Sequence, residues 1–221
     1  MTLRLHYAPD NASLCIRLAL EAGGFAYETA LVDRRRHGHK APAYLALNPN
    51  GLIPVLETPQ GALFETGAIL LWLADQRPGQ MFPVPDAPDR GPALTWLFWM
   101  ANTLHPTLRT CFYPHLYGSD PKDIRANALA RLAAQLDLVE AAPQAYASTL
   151  ARCYLAPLLR WAVIYAEAEP ALDLARWPAL RAMAAAFETT PAALAAARAE
   201  GLGPAPFSDP RLPNPPEGSA V

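Results

Sequence analysis

The stretch "NPNGLIPVLET", residues 48–58, decides how the chain is read. Its second half, "LIPVLET", has the composition of a short buried strand, yet Pro54 interrupts it. Proline donates no ladder hydrogen bond and is unwelcome in a central strand. A strand that begins at the proline, with the backbone before it left free, reconciles the two. An X–Pro bond is the peptide bond that readily turns cis. A cis Pro54 bends the chain and turns the N–H and C=O of Ile53 outward, where an extended peptide ligand docks as an added strand. On this segment alone, an edge-strand proline without a role reads as well.

The flanking sequence supplies a frame for that strand. "LRLHY" (3–7) alternates polar and apolar residues and stops near Pro9, a first strand. "SLCIRLALEAGG" (13–24) is a helix with Ser13 as its N-cap and Gly23-Gly24 as its stop. "FAYETALVD" (25–33) is a second strand, "RRRHGHKAP" (34–42) a basic loop, and "PAYLAL" (42–47) a short helical turn. "IPVLET" and "ALFET" are two strands around "PQG", and "GAILLWLADQRP" (67–78) is a helix stopped by Pro78. The order is βαβαββα over residues 1–79.

Residues 80–92 are dense in proline and glycine and form a linker. Beyond them the apolar spacing is helical throughout, in the runs 93–112, 123–142, 150–168, 177–190 and 191–200. The expectation is an α+β two-domain chain, with an all-helical domain over 93–203. The tail 204–221 is too rich in proline for helix or strand and reads as an extended arm.

Bulk composition narrows the function classes. Of 221 residues, 52% are hydrophobic and 17% charged, with a formal net charge of −2. That balance offers no field to draw nucleic acid or an anionic membrane surface. No apolar run approaches the length of a membrane span, and "MTLRLHYAPD" lacks the apolar stretch of a signal peptide. Cys15, Cys111 and Cys153 are dispersed, and the five histidines form no HExxH pair. No metal and no disulfide framework is expected, and a cytoplasmic setting follows.

Chemistry-bearing residues gather around Pro54. Thr66 stands at the start of a helix with Glu65 before it. A helix N-terminus attracts a carboxylate and Glu65 an ammonium, which together suit an α-amino acid head group; a plain cap is the alternative. Ser13 is either an ordinary cap or a donor to a thiolate held at the helix's positive end, where a thiol's acidity rises. Tyr7, at the end of the first strand, is the competing hydroxyl.

Taken together, "YAPDNASLCIRLALEAGG", "NPNGLIPVLET" and "LFETGAILLWLAD" resemble the thioredoxin-like N-terminal domain of cytosolic glutathione transferases, near the bacterial beta, theta and nu groups. The helical half, with "PLLRW", resembles their C-terminal domain.

The resemblance implies a transferase of a homodimeric, detoxifying kind, with glutathione as co-substrate, possessing weak peroxidase activity at most. Ile53 and cis-Pro54 would pair with the cysteinyl segment of glutathione. Glu65 and Thr66 would take the γ-glutamyl head, and His37, His39 and Lys40 the glycyl carboxylate. Ser13 or Tyr7 would stabilise the thiolate. Trp99, Asn102 and His105 would line a pocket for a small apolar electrophile, with a core role as the other reading of His105.

Three departures from the family pattern stand out. Ala12 occupies the beta-type cysteine position, which excludes a mixed disulfide there. Leu52 replaces a polar residue that contacts glutathione. Arg152 stands where a Ser/Thr-x-x-Asp capping box, read from Thr149, needs its aspartate, a loss of about 1 kcal/mol. Leu52 and Arg152 motivate a non-catalytic ligand-binding or interaction protein as the alternative. A glutathione-dependent isomerase or dehalogenase is a third reading, weakened by the absence of a cysteine nucleophile motif.

Overall fold

In a computed structural model, the described residues are 2–168 and 172–220. Met1 and Val221, the outer ends of the segments read from the sequence, lie outside them. The contacts divide the chain into two units. One comprises Met1–Val84, Thr189–Pro204 and Leu212–Val221; the other comprises Pro85–Glu188 and Ala205–Arg211.

The first unit is the thioredoxin-like fold. Strand β1 (Leu3–Tyr7) leads through helix α1 (Ser13–Ala22) to β2 (Tyr27–Leu31), and a short α2 (Pro42–Leu45) precedes β3 (Val55–Thr58), β4 (Gly61–Phe64) and α3 (Thr66–Asp75). The sheet order is β2-β1-β3-β4. β1 and β2 are parallel, joined through α1, and β3 is antiparallel to both β1 and β4. In α1 every residue from Ser13 to Leu20 is buried, which is the burial expected of a helix packed on several sides. It touches β1, α3 and a later helix, α9 (Pro191–Glu200).

That last contact moves a boundary. The sequence places residues 191–200 in the helical domain; the fold places α9 with the first unit. The small buried side chains Ala193 and Ala196 face into this packing, and α9 ends on a left-handed Gly201 at φ 64°. The arm also splits. Residues 205–211 go with the helical unit and 212–220, free of helix and strand, with the thioredoxin-like unit. The Asn214 N–H donates to the Gly201 carbonyl at 2.8 Å.

The second unit is helical: α4 (Arg90–Trp99), α5 (His105–Phe112), α6 (Pro121–Glu140), α7 (Thr149–Tyr165) and α8 (Pro178–Phe187). A π-helical turn, Met100–Leu104, joins α4 to α5 just before Pro106. Proline lacks the N–H that would continue the ladder, and a widened turn is one way a helix passes it. Inside α7, Arg160 is fully buried and donates to the carbonyls of Pro206 (3.0 Å) and Arg211 (2.8 Å), fixing that part of the arm.

The capping residues differ from the sequence reading by one position. Ala12, not Ser13, is the N-cap of α1, and Glu65, not Thr66, is the N-cap of α3; neither donates or accepts as a side-chain cap. Ser148, not Thr149, caps α7, its hydroxyl accepting from the Ala151 N–H at 3.1 Å. Arg152 therefore lies beyond the capping box. Its guanidinium turns back to the carbonyls of Tyr146 (2.9 Å) and Ala147 (3.1 Å), so the defect expected there does not exist.

Candidate functional site

The sheet register brings the candidate residues to one end of the first unit. His6 pairs with Val55, and Val55 pairs with Phe64. The residue beyond this row on each chain is Tyr7 on β1, Pro54 before β3 and Glu65 after β4. The N-termini of α1 and α3 open at the same end. One row of backbone pairing thus collects Tyr7, Ser13, Ile53, Pro54, Glu65 and Thr66.

The loop from β1 to α1 is tied from within. Ser13 is wholly buried, and its hydroxyl donates to the Ala8 carbonyl (3.1 Å) and accepts from the Ala8 N–H (3.3 Å). Asp10 takes a left-handed φ of 52°, and its N–H donates to Glu200 at 2.8 Å. Glu200 also pairs with Arg17 at 2.7 Å, and the Arg17 guanidinium lies 4.6 Å over the Tyr7 ring. Burial raises the Glu200 carboxyl to about 7 against the opposing pull of Arg17. The Tyr7 ring is 3% exposed, and its hydroxyl donates to Glu217 of the arm. Burial first, then Glu217, pushes that phenol well above its usual range.

Just before Pro54 the backbone lies outside the sheet pairing. The Ile53–Pro54 bond is cis, and Ile53 lies outside both ladders of β3. The carbonyl of Leu52 is held twice, by the Tyr44 hydroxyl and by Asn48 Nδ2, each at 2.8 Å. The Leu52 side chain is 41% exposed.

Gly51 has a φ of 59°, and a Cβ there would fall 2.8 Å from the His39 carbonyl and 2.9 Å from Lys40 Nζ. Only glycine lets this turn press against the basic loop. His39 and Lys40 sit on the 3-10 turn Gly38–Lys40, led by His37 at φ 53°. His39 Nδ1 is buried without a hydrogen-bond partner. Burial, helped by Lys40, Arg34 and His37, lowers the His39 pKa.

At α3 the chain enters the helix through Glu65 at φ 71° and ψ 115°, with Glu65 exposed and Thr66 buried. The first bond back is from Ile69 N–H to the Glu65 carbonyl at 3.0 Å, and no side chain caps the first turn. Its N–H groups are available to an anion.

The second unit carries the remaining candidates. Trp99 closes α4, 5.4 Å from the Trp96 ring, and Asn102 is exposed on the π turn. His105 Nδ1 meets the Tyr154 hydroxyl at 3.0 Å, and its ring lies 5.8 Å from that of Trp161. Burial, with Arg109 adding to it, lowers His105 to about 4. Its bonds are those of an internal histidine within that unit. All three cysteines are buried, and burial raises Cys111 to about 11 and Cys153 to about 12. Among the described residues no cluster of His, Cys, Asp and Glu is placed to hold a metal ion, and no helix is long and apolar enough to cross a membrane.

Sequence reasoning missed the supports of this end. Asn48 was legible as a turn former, since its side chain also accepts from the Asn50 N–H at 3.1 Å. Tyr44, Arg17, Glu200 and Glu217 carry no local signal, because each reaches its partner only through the tertiary fold.

Residues 1–75 match the family model described as Glutathione S-transferase, N-terminal domain. The chain is 28% identical to Glutathione S-transferase GstA of Escherichia coli O157:H7 over 72% of this chain and 82% of that protein. It is 29% identical to Maleylpyruvate isomerase of Ralstonia sp over 77% of this chain and 84% of that one. A sphingomonad glutathione S-transferase, solved in complex with glutathione, superposes with a TM-score of 0.77 at 30% identity, covering 90% of this chain and all of that one. The match of the N-terminal family model, with 30% identity to the sphingomonad enzyme across the whole of its length, leaves one assignment: the chain belongs to the glutathione transferase family.

Proposed function

We propose that the chain is a glutathione transferase that binds glutathione at the Pro54 end of its sheet and presents the sulfur, as thiolate, to small apolar electrophiles. The observation that carries this reading is the convergence of three features at one end. These are the Ile53 backbone outside the ladders, the uncapped α3 start behind Glu65, and the basic turn with the unpartnered His39 Nδ1. Each matches one part of γ-glutamyl-cysteinyl-glycine. The cysteinyl amide pairs with Ile53 ahead of Pro54. The γ-glutamyl carboxylate takes the first-turn N–H groups at Thr66, and its ammonium takes Glu65. The glycyl carboxylate is met by His39 and Lys40, with His37 beside them.

Of the two candidate hydroxyls, Tyr7 is the better donor to the thiolate: Ser13 is bound on both sides to the backbone of its own buried loop, whereas Tyr7 donates to the exposed Glu217 of the arm. Trp99 and Asn102 remain the candidates for contact with the electrophile, while His105 takes the core role that its bond to Tyr154 gives it. A cytoplasmic homodimer is the working state, and size-exclusion chromatography with light scattering tests the dimer.

The direct test is calorimetric titration with glutathione alongside conjugation of chlorodinitrobenzene or an isothiocyanate. Micromolar-to-millimolar binding with turnover above background is expected. No turnover together with no retention on glutathione resin overturns the proposal. The similarity to an isomerase favours a second reading on the same site, glutathione-dependent cis–trans isomerisation, read by offering maleylpyruvate.

A further inference from the structure

Segment 212–220 is received by a built cradle on the thioredoxin-like unit. Glu217 accepts from the Tyr7 hydroxyl. The Ala220 carbonyl accepts from Asn11 Nδ2 at 3.0 Å and from Arg34 Nη1 at 2.6 Å, and Arg34 in turn donates to Asn11 Oδ1 at 3.0 Å. Gly218, at φ 73°, lets the chain lie so close that a Cβ would fall 2.6 Å from the Leu31 side chain and 3.2 Å from Pro9. Ser219 is 6% exposed.

Tyr7, Asn11, Leu31 and Arg34 all belong to the end of β1, the end of β2 and the loops that leave them, which is the end of the sheet already assigned to glutathione. A phenol that donates to a carboxylate cannot donate the same proton to a sulfur.

We propose that segment 212–220 is an autoinhibitory latch, in which Glu217 occupies the Tyr7 hydroxyl and must leave before that hydroxyl can face a thiolate. The proposal rests on the reading of Tyr7 as the thiolate donor. The fold shows why such a latch can lift. The segment has no helix or strand, Leu212 at its start is 72% exposed, and Glu217 itself is exposed. The backbone bond from Asn214 to Gly201 anchors its start, while from Glu217 onward side-chain bonds to Tyr7, Asn11 and Arg34 and the close Gly218 contact are among those that hold it. The Arg17 guanidinium under the Tyr7 ring stays in place when the segment leaves, because its partner Glu200 is on α9.

The experiment compares the unaltered protein with a chain stopped after Pro216 and with Gly218→Ala, each also in a Tyr7→Phe background. Circular dichroism establishes that each is folded. Both latch variants are expected to raise kcat/KM for glutathione with chlorodinitrobenzene about tenfold, the scale of one charge-assisted hydrogen bond released. In the Tyr7→Phe background the same changes are expected to alter it less than twofold. A fall, no change, or an equal rise in the Tyr7→Phe background overturns the latch.

If none of these proteins binds glutathione by calorimetry, the transferase reading fails and the latch is judged separately. Tyr7→Phe must then speed hydrogen exchange of the 212–220 peptide by mass spectrometry about tenfold. Unchanged exchange overturns the latch as well.

Discussion

Glu65 carries the most unfavourable backbone geometry at the candidate site. A φ of 71° with ψ of 115° lies outside the small left-handed well that non-glycine residues tolerate, and such positions cost about 1–3 kcal/mol. Glycine there would remove the cost, yet the chain carries an exposed carboxylate instead. If the strain is held for binding, stability and affinity must move in opposite directions. Glu65→Gly is expected to raise the melting temperature by about 2–4 °C. The same change is expected to weaken glutathione binding at least about tenfold, through loss of the ammonium's partner. Calorimetry of both quantities on one preparation checks this; a destabilised variant, or one with full affinity, would show that Glu65 is shaped by something else.

Tyr44 acts through a shorter link. Its hydroxyl is one of two groups on the Leu52 carbonyl, and burial holds that phenol well above its usual range. Tyr44→Phe leaves Asn48 in place and is expected to cost about 1 kcal/mol by urea unfolding.

At the scale of elements, the helix starts explain which parts of the fold could be read ahead of the structure. The order βαβαββα was legible because periodicity and punctuation are local: Gly23-Gly24, Pro54 and Pro78 each stop or start an element by their own backbone limits. Which residue caps a helix is a choice between neighbours, decided by tertiary contacts, and the reading was one residue late at α1, α3 and α7.

Helix α7 shows the consequence. Thr149 and Arg152 looked like a broken capping box, but the cap is Ser148 and the arginine binds two carbonyls of the preceding turn. Ser148→Ala is therefore expected to cost about 1 kcal/mol. Arg152→Asp, which the sequence pattern would call a repair, is expected to destabilise by a few tenths to about 1 kcal/mol, since it exchanges two hydrogen bonds for a charge with no N–H to accept from. Urea midpoints of the two variants decide it: stabilisation by Arg152→Asp would return the cap to Thr149.

The membership of α9 was not legible at all. Its spacing is that of any alanine-rich helix, and what assigns it to the thioredoxin-like unit is packing on α1 and the ion pair of Glu200 with Arg17, 183 residues away in sequence.

Across the whole molecule, one buried titratable group in each unit gives stability opposite slopes with pH. His105 in the helical unit is lowered from 6.5 to about 4 by burial and by Arg109. Between those values the unfolded chain binds more protons than the folded one, so this group's contribution is lost as pH falls from 6.5 towards 4.

Glu200 in the thioredoxin-like unit is raised from 4.5 to about 7, by burial first, with Arg17 and the Asp10 N–H opposing. Between those values the folded chain binds more protons, so its contribution is lost as pH rises from 4.5 towards 7. In the overlap, pH 4.5–6.5, the two slopes offset each other, each limited to about 1.4 kcal/mol per pH unit.

Substitution separates them. The stability of the unaltered protein relative to His105→Gln, which keeps a polar group beside Tyr154, is expected to shrink as the solution is acidified from pH 6.5 to 5. Relative to Glu200→Gln, which leaves the Arg17 charge buried without its partner, it is expected to grow over the same interval. Urea unfolding of the three proteins at half-unit steps measures both differences. Two parallel curves would mean that neither group titrates across the unfolding transition, and that the polar interior of both units is set by hydrogen bonding alone.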